Sequence, residues 1–285
     1  MITEKEILHA LSYVQEPDLH KDLVSLNMIK DIEINDLSVE FTVVLTTPAC
    51  PLKEKIETDC VAAIHQYVND KAIVKVNMIS NVSSNRQDKF VLPGVRNIVA
   101  VISGKGGVGK STVASNLAIA LSQTGARIGL LDADIYGPSQ ALMFGLNGQQ
   151  PYLEDVGGKS MMIPLENYGV KVMSVAFLLK PDQAVAWRGP LVSSALKQFI
   201  SDVSWGDLDY LIVDMPPGTG DVHLTLLQTT PLTGVVVVTT PQEVALADAQ
   251  KAVAMLSMIP VKIPVLGVVE NMSWFTPLNY LIINT

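Results

Sequence analysis

The sequence predicts an α/β protein: a doubly wound, mostly parallel sheet preceded by a small α+β domain. Three observations carry this. From residue 97 onward, short apolar runs at 98–103, 128–132, 170–176, 210–214, 235–240 and 265–270 alternate with helical stretches near 110–123, 190–203 and 244–257. Such alternation implies parallel strands with helices on both faces. The runs are near-continuous Val, Ile and Leu, as strands buried on both faces require, and 48% of the 285 residues are hydrophobic against 17% charged. Finally, a polar stretch ending in Pro93-Gly94 separates this pattern from a different one before it. The predicted boundaries are 1–80 for the small domain, 81–95 for the linker and 96–285 for the larger domain.

In the small domain, residues 3–14 read as a helix. Residues 37–45 alternate, with Val39, Phe41, Val43 and Leu45 on one face, so they form a half-buried strand. Residues 28–35 precede it across an Asn35-Asp36 turn. Pro51 suits the first turn of a helix, which is expected to run to about Val68, and residues 72–79 read as another strand.

The net charge of −8 argues against a general nucleic-acid surface. Two cysteines, Cys50 and Cys60, imply no disulfide framework and suit a reducing compartment. The N-terminus lacks a signal-peptide pattern, and no apolar run approaches a membrane span. The expectation is a cytoplasmic protein with no nucleic-acid or membrane partner.

Gly104-Lys105-Gly106-Gly107-Val108-Gly109-Lys110-Ser111 matches G-x-x-x-x-G-K-[ST] in full. Glycines let successive backbone N–H groups turn inward onto phosphate oxygens, and the following helix aims its positive end at the same place. Lys110 would neutralise the β- and γ-phosphates of ATP, and the Ser111 hydroxyl is a natural Mg²⁺ ligand. The context agrees: an apolar strand lies before the loop, and Ala114, Leu117, Ala118 and Leu121 share one helical face after it, until Gly125. Asp132, Asp134 and Asp214 follow or end predicted strands. Carboxylates there line the ligand crevice of such sheets and serve to hold Mg²⁺ or orient water, although Asp after a strand also caps helices. The segment from Asp214 through Pro216-Pro217-Gly218 to Asp221 is a stiff, glycine-hinged loop suited to sensing a γ-phosphate.

The loop, extended through Thr112 and carrying a second cation at Lys105, resembles the deviant Walker A of the MinD/ParA/nitrogenase-iron-protein class. Together with Asp132-Ala133-Asp134-Ile135-Tyr136-Gly137-Pro138-Ser139 and Asp214-Met215-Pro216-Pro217-Gly218-Thr219-Gly220-Asp221, it resembles the Mrp/ApbC branch, the ATP-dependent iron–sulfur cluster carriers, over residues 91–275. The resemblance implies an ATPase working as a homodimer, with Lys105 reaching the partner's nucleotide and Asp134 positioning the attacking water. It implies Asp214 as the Mg²⁺-side aspartate, directly or through water, and Asn271 as the adenine contact. Scaffold proteins and recipient apoproteins are the implied partners.

Residues 3–79 resemble the small domain fused before such ATPases, through Glu16-Pro17-Asp18, the segment 22–29 and Thr46-Thr47-Pro48-Ala49-Cys50-Pro51. The family more often has Asp-Pro-Glu at the first. Cys50, at a helix N-terminus, is either a metal-binding thiolate for an Fe–S cluster or a small buried side chain, and Cys60 reads as core. The family's Cys-x-x-Cys pair falls near Pro277 and Tyr280, and no cysteine follows Cys60. The larger domain therefore brings no thiolates of its own to a cluster. Family members also continue with at least one more strand and helix, so the expectation is a truncated reading frame with apolar sheet left uncovered. Alternative readings are a MinD/ParA-like positioning ATPase and a nucleotide-binding adapter without turnover.

Overall fold

The computed structural model describes residues 2–17, 19–45, 52–80, 92–178, 198–218, 220, 223, 226–227, 230–258 and 263–274. The chain divides into two compact units, Met1–Ser83 and Ser84–Thr285.

The first unit starts with α1 (Glu4–Leu11), closed at its N-terminus by a capping box in which Thr3 and Glu6 satisfy each other's backbone N–H groups. It is shorter than predicted, because the chain turns at Ser12 into the small antiparallel pair β1 (Gln15–Glu16) and β2 (Lys21–Asp22). A three-stranded sheet follows, of β3 (Ile29–Asn35), β4 (Ser38–Leu45) and β5 (Ile73–Ser80), with β4 central. β3 and β4 join through the anticipated turn, where Asp36 takes a positive φ of 55°. β5 pairs parallel to β4, and α2 (Lys53–Tyr67) makes the crossover. Val39, Phe41, Val43 and Leu45 all point into a core with Ile7, Leu11, Ile56, Cys60 and Ile64. Cys60 is thus the core residue the sequence suggested. The Thr46-to-Pro51 segment with Cys50 lies outside the described residues.

The second unit is built on a seven-stranded sheet. Its strands are β6 (Val95–Ile102), β7 (Ile128–Asp132), β10 (Leu165–Asn167), β11 (Val170–Ser174), β12 (Leu208–Asp214), β13 (Gly234–Thr239) and β14 (Val265–Glu270), in the spatial order β10-β11-β7-β12-β6-β13-β14. All pairs are parallel except β10 with β11. α3 (Lys110–Gln123) joins β6 to β7, and a long helix, Glu243–Met258, joins β13 to β14. Within α3, Ala114 and Ala118 are buried against the sheet, and Leu117 and Leu121 pack on the same core half-buried. The predicted α/β class, a mostly parallel sheet with helices, holds.

Some elements were not anticipated. β8 (Leu153–Val156) and β9 (Lys159–Met162) form a hairpin across Gly157-Gly158, both with positive φ, the backbone a two-residue hairpin turn demands. β10 and β11 turn likewise at Tyr168-Gly169. The predicted strand 170–176 ends at Ser174, whose hydroxyl accepts from Ala176 N and starts a 3₁₀ turn, Val175–Phe177. A four-residue helix, α4 (Gln140–Met143), follows the Asp134 loop; the Glu243–Met258 helix is therefore α5. Of the helix predicted at 190–203, residues 198–201 are helical, and 190–197 lie outside the described residues. At the sheet edge, Leu266 and Val268 of β14 are exposed.

Candidate nucleotide site

Three strands deliver the site to one level. In register, Asp214 of β12 sits opposite Asp132 of β7 on one side and Val101 of β6 on the other. The chain leaves β6 there, passes through the glycine-rich loop and enters α3 at Lys110. Gly107 and Gly109 take φ values of 82° and 85°, a conformation that favours glycine. Gly109 has a second constraint: a Cβ there would overlap the Asn271 amide. Gly104 is pressed against the Asp248 carbonyl of α5 in the same way.

Lys110 is the first residue of α3 and is only 6% exposed. Its Nζ donates to Asp214 Oδ1 at 2.5 Å and lies 3.4 Å from Ser111 Oγ and 3.8 Å from Asp134 Oδ2. Four of the residues singled out in the sequence therefore meet around one ammonium. Asp214 is completely buried. Burial raises the Asp134 carboxyl above the usual range, with Lys110 pulling the other way. Gly137 N donates to Asp134 Oδ1, closing the loop on itself. Asp132 plays a different part. It is buried and accepts from Ser139 N, Gln140 N, Ser174 Oγ and Asp134 N. Burial, and Asp214 next to it, push its carboxyl up to about 7. It shapes the loop that presents Asp134.

The loop after β12 is tied to the strand beside it: Met215 N donates to Val101 O and Gly218 N to Ser103 O. Asn271, at the end of β14, donates from its backbone to Thr239 O and from Nδ2 to Val108 O at 2.9 Å. That brings it onto the glycine loop from the far side of the sheet. Lys105 and Thr112 are exposed, and Lys105 makes no ion pair with a described residue. Thr219 and Asp221 lie outside the described residues.

Three participants escape the sequence patterns. Gln140 and Ser115 are buried beside Ser111 and Asp214. His223 is buried under the 214–218 loop, with Nδ1 3.3 Å from the Pro216 carbonyl, and burial pushes its ring down to about 4, so it stays neutral. For Ser115 a signal existed, its i+4 spacing from Ser111 on α3. Gln140 and His223 belong to no spacing rule.

Residues 94–280 match the model of a family described as NUBPL iron-transfer P-loop NTPase. The chain belongs to that family. Residues 4–78 match a second family, the iron-sulfur cluster assembly protein. Among relatives, the iron-sulfur cluster carrier protein of Synechocystis sp. is 50% identical over 278 residues, covering 97% of this chain and 78% of its own length. The protein of the same name from Deinococcus radiodurans is 52% identical over 269 residues, covering 94% and 75%. A nucleotide-binding protein of Archaeoglobus fulgidus, solved in complex with ADP, is 41% identical. It superposes with a TM-score of 0.57 over 66% of this chain and 71% of its own. The resemblance carried by the loop and the two aspartate segments is thus a family relationship, to an iron-transfer P-loop NTPase. Among the described residues no helix of this NTPase is long and apolar enough to cross a membrane.

Proposed function

We propose that the chain binds ATP with Mg²⁺ at the 104–112 loop, hydrolyses it, and uses the cycle to pass iron–sulfur clusters from scaffold proteins to apoproteins. One observation carries the reading: the Lys110 ammonium, at the start of α3, is flanked by Asp214 at 2.5 Å and Asp134 at 3.8 Å. A triphosphate laid along the loop N–H groups would draw Lys110 toward its β- and γ-oxygens.

The donor set suits magnesium. Ser111 and Asp214 offer hard oxygen donors, as this ion prefers. Among the described residues no group of three or more His, Cys, Asp or Glu gathers into a cage, which fits an ion held jointly by one or two protein oxygens, water and phosphate. Ser111 would ligate it directly and Asp214 directly or through water. The ion supplies neutralisation of charge on the phosphate oxygens. Asp134 orients the attacking water, and its burial-raised carboxyl suits it to take up a proton. Asn271, held against the glycine loop by its Nδ2 bond to the Val108 carbonyl, would contact the base. Lys105, exposed on the loop, reaches the nucleotide of the second copy in a cytoplasmic homodimer, acting as an arginine finger does.

For the cluster, Cys60 is excluded by its core position, with burial pushing its thiol up to about 12. Cys50, the other cysteine of this sequence, would supply one of the several thiolates a cluster needs. Two measurements test the reading. Purified protein should hydrolyse ATP, and Lys110→Ala should remove at least about nine-tenths of the rate; undiminished turnover refutes the site. Anaerobic reconstitution should load iron and sulfide, and Cys50→Ala should abolish loading while sparing hydrolysis.

A further inference from the structure

Gln140 opens α4, directly after the Asp134 loop, and is completely buried. A primary amide carries two donors and an acceptor oxygen, and here all are engaged. Nε2 donates to Asp214 Oδ2 at 2.8 Å and to the Ser111 carbonyl at 3.1 Å. Oε1 accepts from Ser115 Oγ at 2.6 Å. Its own backbone N–H goes to Asp132 Oδ2.

The orientation of this amide is fixed by its partners. Flipped, Oε1 would face a carboxylate oxygen and a carbonyl oxygen, three acceptors with no proton among them. Nε2 therefore faces Asp214. The two oxygens of Asp214 are held from opposite sides, Oδ1 by Lys110 and Oδ2 by Gln140. These two holds differ in permanence. Lys110 is the group a triphosphate would attract, whereas Gln140 is anchored at Oε1 and at its backbone and has no such alternative. Its amide also spans two elements, joining Ser111 on α3 to Asp214 on β12.

We propose that Gln140 is a positioning residue, which fixes the plane of the Asp214 carboxylate and its spacing from Ser111 so that the two receive a nucleotide-bound divalent cation together. This rests on the reading of Ser111 and Asp214 as the magnesium-side pair. Gln140 touches neither nucleotide nor metal. It acts through the geometry of those two residues.

The test uses the full chain with Mn²⁺ as the spectroscopic probe. Electron paramagnetic resonance measures Mn²⁺ affinity of the ADP complex, and a fluorescent ADP analogue measures nucleotide affinity in EDTA. Gln140→Met keeps the length and removes the polar atoms. It should weaken Mn²⁺ binding by about tenfold, the scale of outer-shell partners, and leave metal-free nucleotide affinity within about twofold. A general loss of packing would weaken both. Ser115→Ala frees Oε1 and should shift Mn²⁺ affinity the same way by about threefold; it decides the matter if Gln140→Met does not fold. Mn²⁺ affinity within about twofold of the parent in the folded variants overturns the proposal. Asp214→Asn is measured alongside. If it too binds Mn²⁺ like the parent, the reading of Asp214 fails. If it weakens binding while the Gln140 and Ser115 variants do not, only the role of Gln140 fails.

Discussion

Lys110 and Asp214 form an ion pair almost completely removed from water, with 6% and 0% of their side chains exposed. Such a pair adds little net stability, because desolvation offsets attraction, but losing one partner is costly. In Lys110→Ala the Asp214 charge would stay buried beside the Gln140 amide. Lys110→Ala should therefore lower the nucleotide-free unfolding free energy by about 3 kcal/mol, and Lys110→Ala with Asp214→Asn should be more stable than Lys110→Ala alone. Urea titrations of the parent, both single variants and the double variant check this; strict additivity would mean the pair is uncoupled. A second residue-scale expectation concerns Cys60. With its thiol pushed up to about 12, Cys60 stays protonated at pH 8. Iodoacetamide followed by mass spectrometry should find Cys60 protected at least about a hundredfold in the native protein and reactive in urea.

At the scale of elements, the glycine loop shows why some positions tolerate nothing else. Gly109 combines a φ of 85° with Asn271 where a Cβ would go. Gly109→Ala should cost about 1–2 kcal/mol for the left-handed backbone alone, and should displace Asn271 from the Val108 carbonyl. Isothermal titration should then show nucleotide affinity falling more than thermal stability does; equal effects would argue against Asn271 as the adenine contact. The sequence announced this element well because strand, loop and helix each have a local signature: a β6 that is continuously apolar from Ile98 to Ile102, glycines where φ is positive, and a helix whose apolar positions recur at i, i+3, i+4 and i+7. β4 was equally legible, with Val39, Phe41, Val43 and Leu45 on one face. The β8–β9 hairpin was missed although Gly157-Gly158 marks its turn, because β8 is exposed throughout and neither strand shows the apolar alternation that announces a half-buried strand. Gln140 was invisible for another reason. Its partners are 25, 29 and 74 residues away in sequence, so only the parallel register of β12 with β7, and α3 packed against them, brings them together.

Among the described residues of the whole molecule lie two hydrophobic cores that share no residue, one around Ile7, Phe41 and Ile64 and the other around the seven-stranded sheet. Each core answers to its own perturbation. Phe41 is fully buried at the centre of the first, and Phe41→Ala should destabilise that core by about 3–5 kcal/mol through lost contacts and the cavity left behind. The glycine loop, Lys110 and Asp214 all belong to the second unit. Ligand that binds only the native loop stabilises that unit by mass action, about 2.7 kcal/mol at a hundred times its dissociation constant. Hydrogen exchange read by mass spectrometry separates the two effects. Mg²⁺–ATP should slow exchange through β6, α3 and β12 and leave β3, β4 and β5 unchanged. Phe41→Ala should do the reverse, speeding exchange in the three-stranded sheet with little change around the loop. Nucleotide-dependent protection appearing in β4 would mean that ATP binding is felt by the small domain.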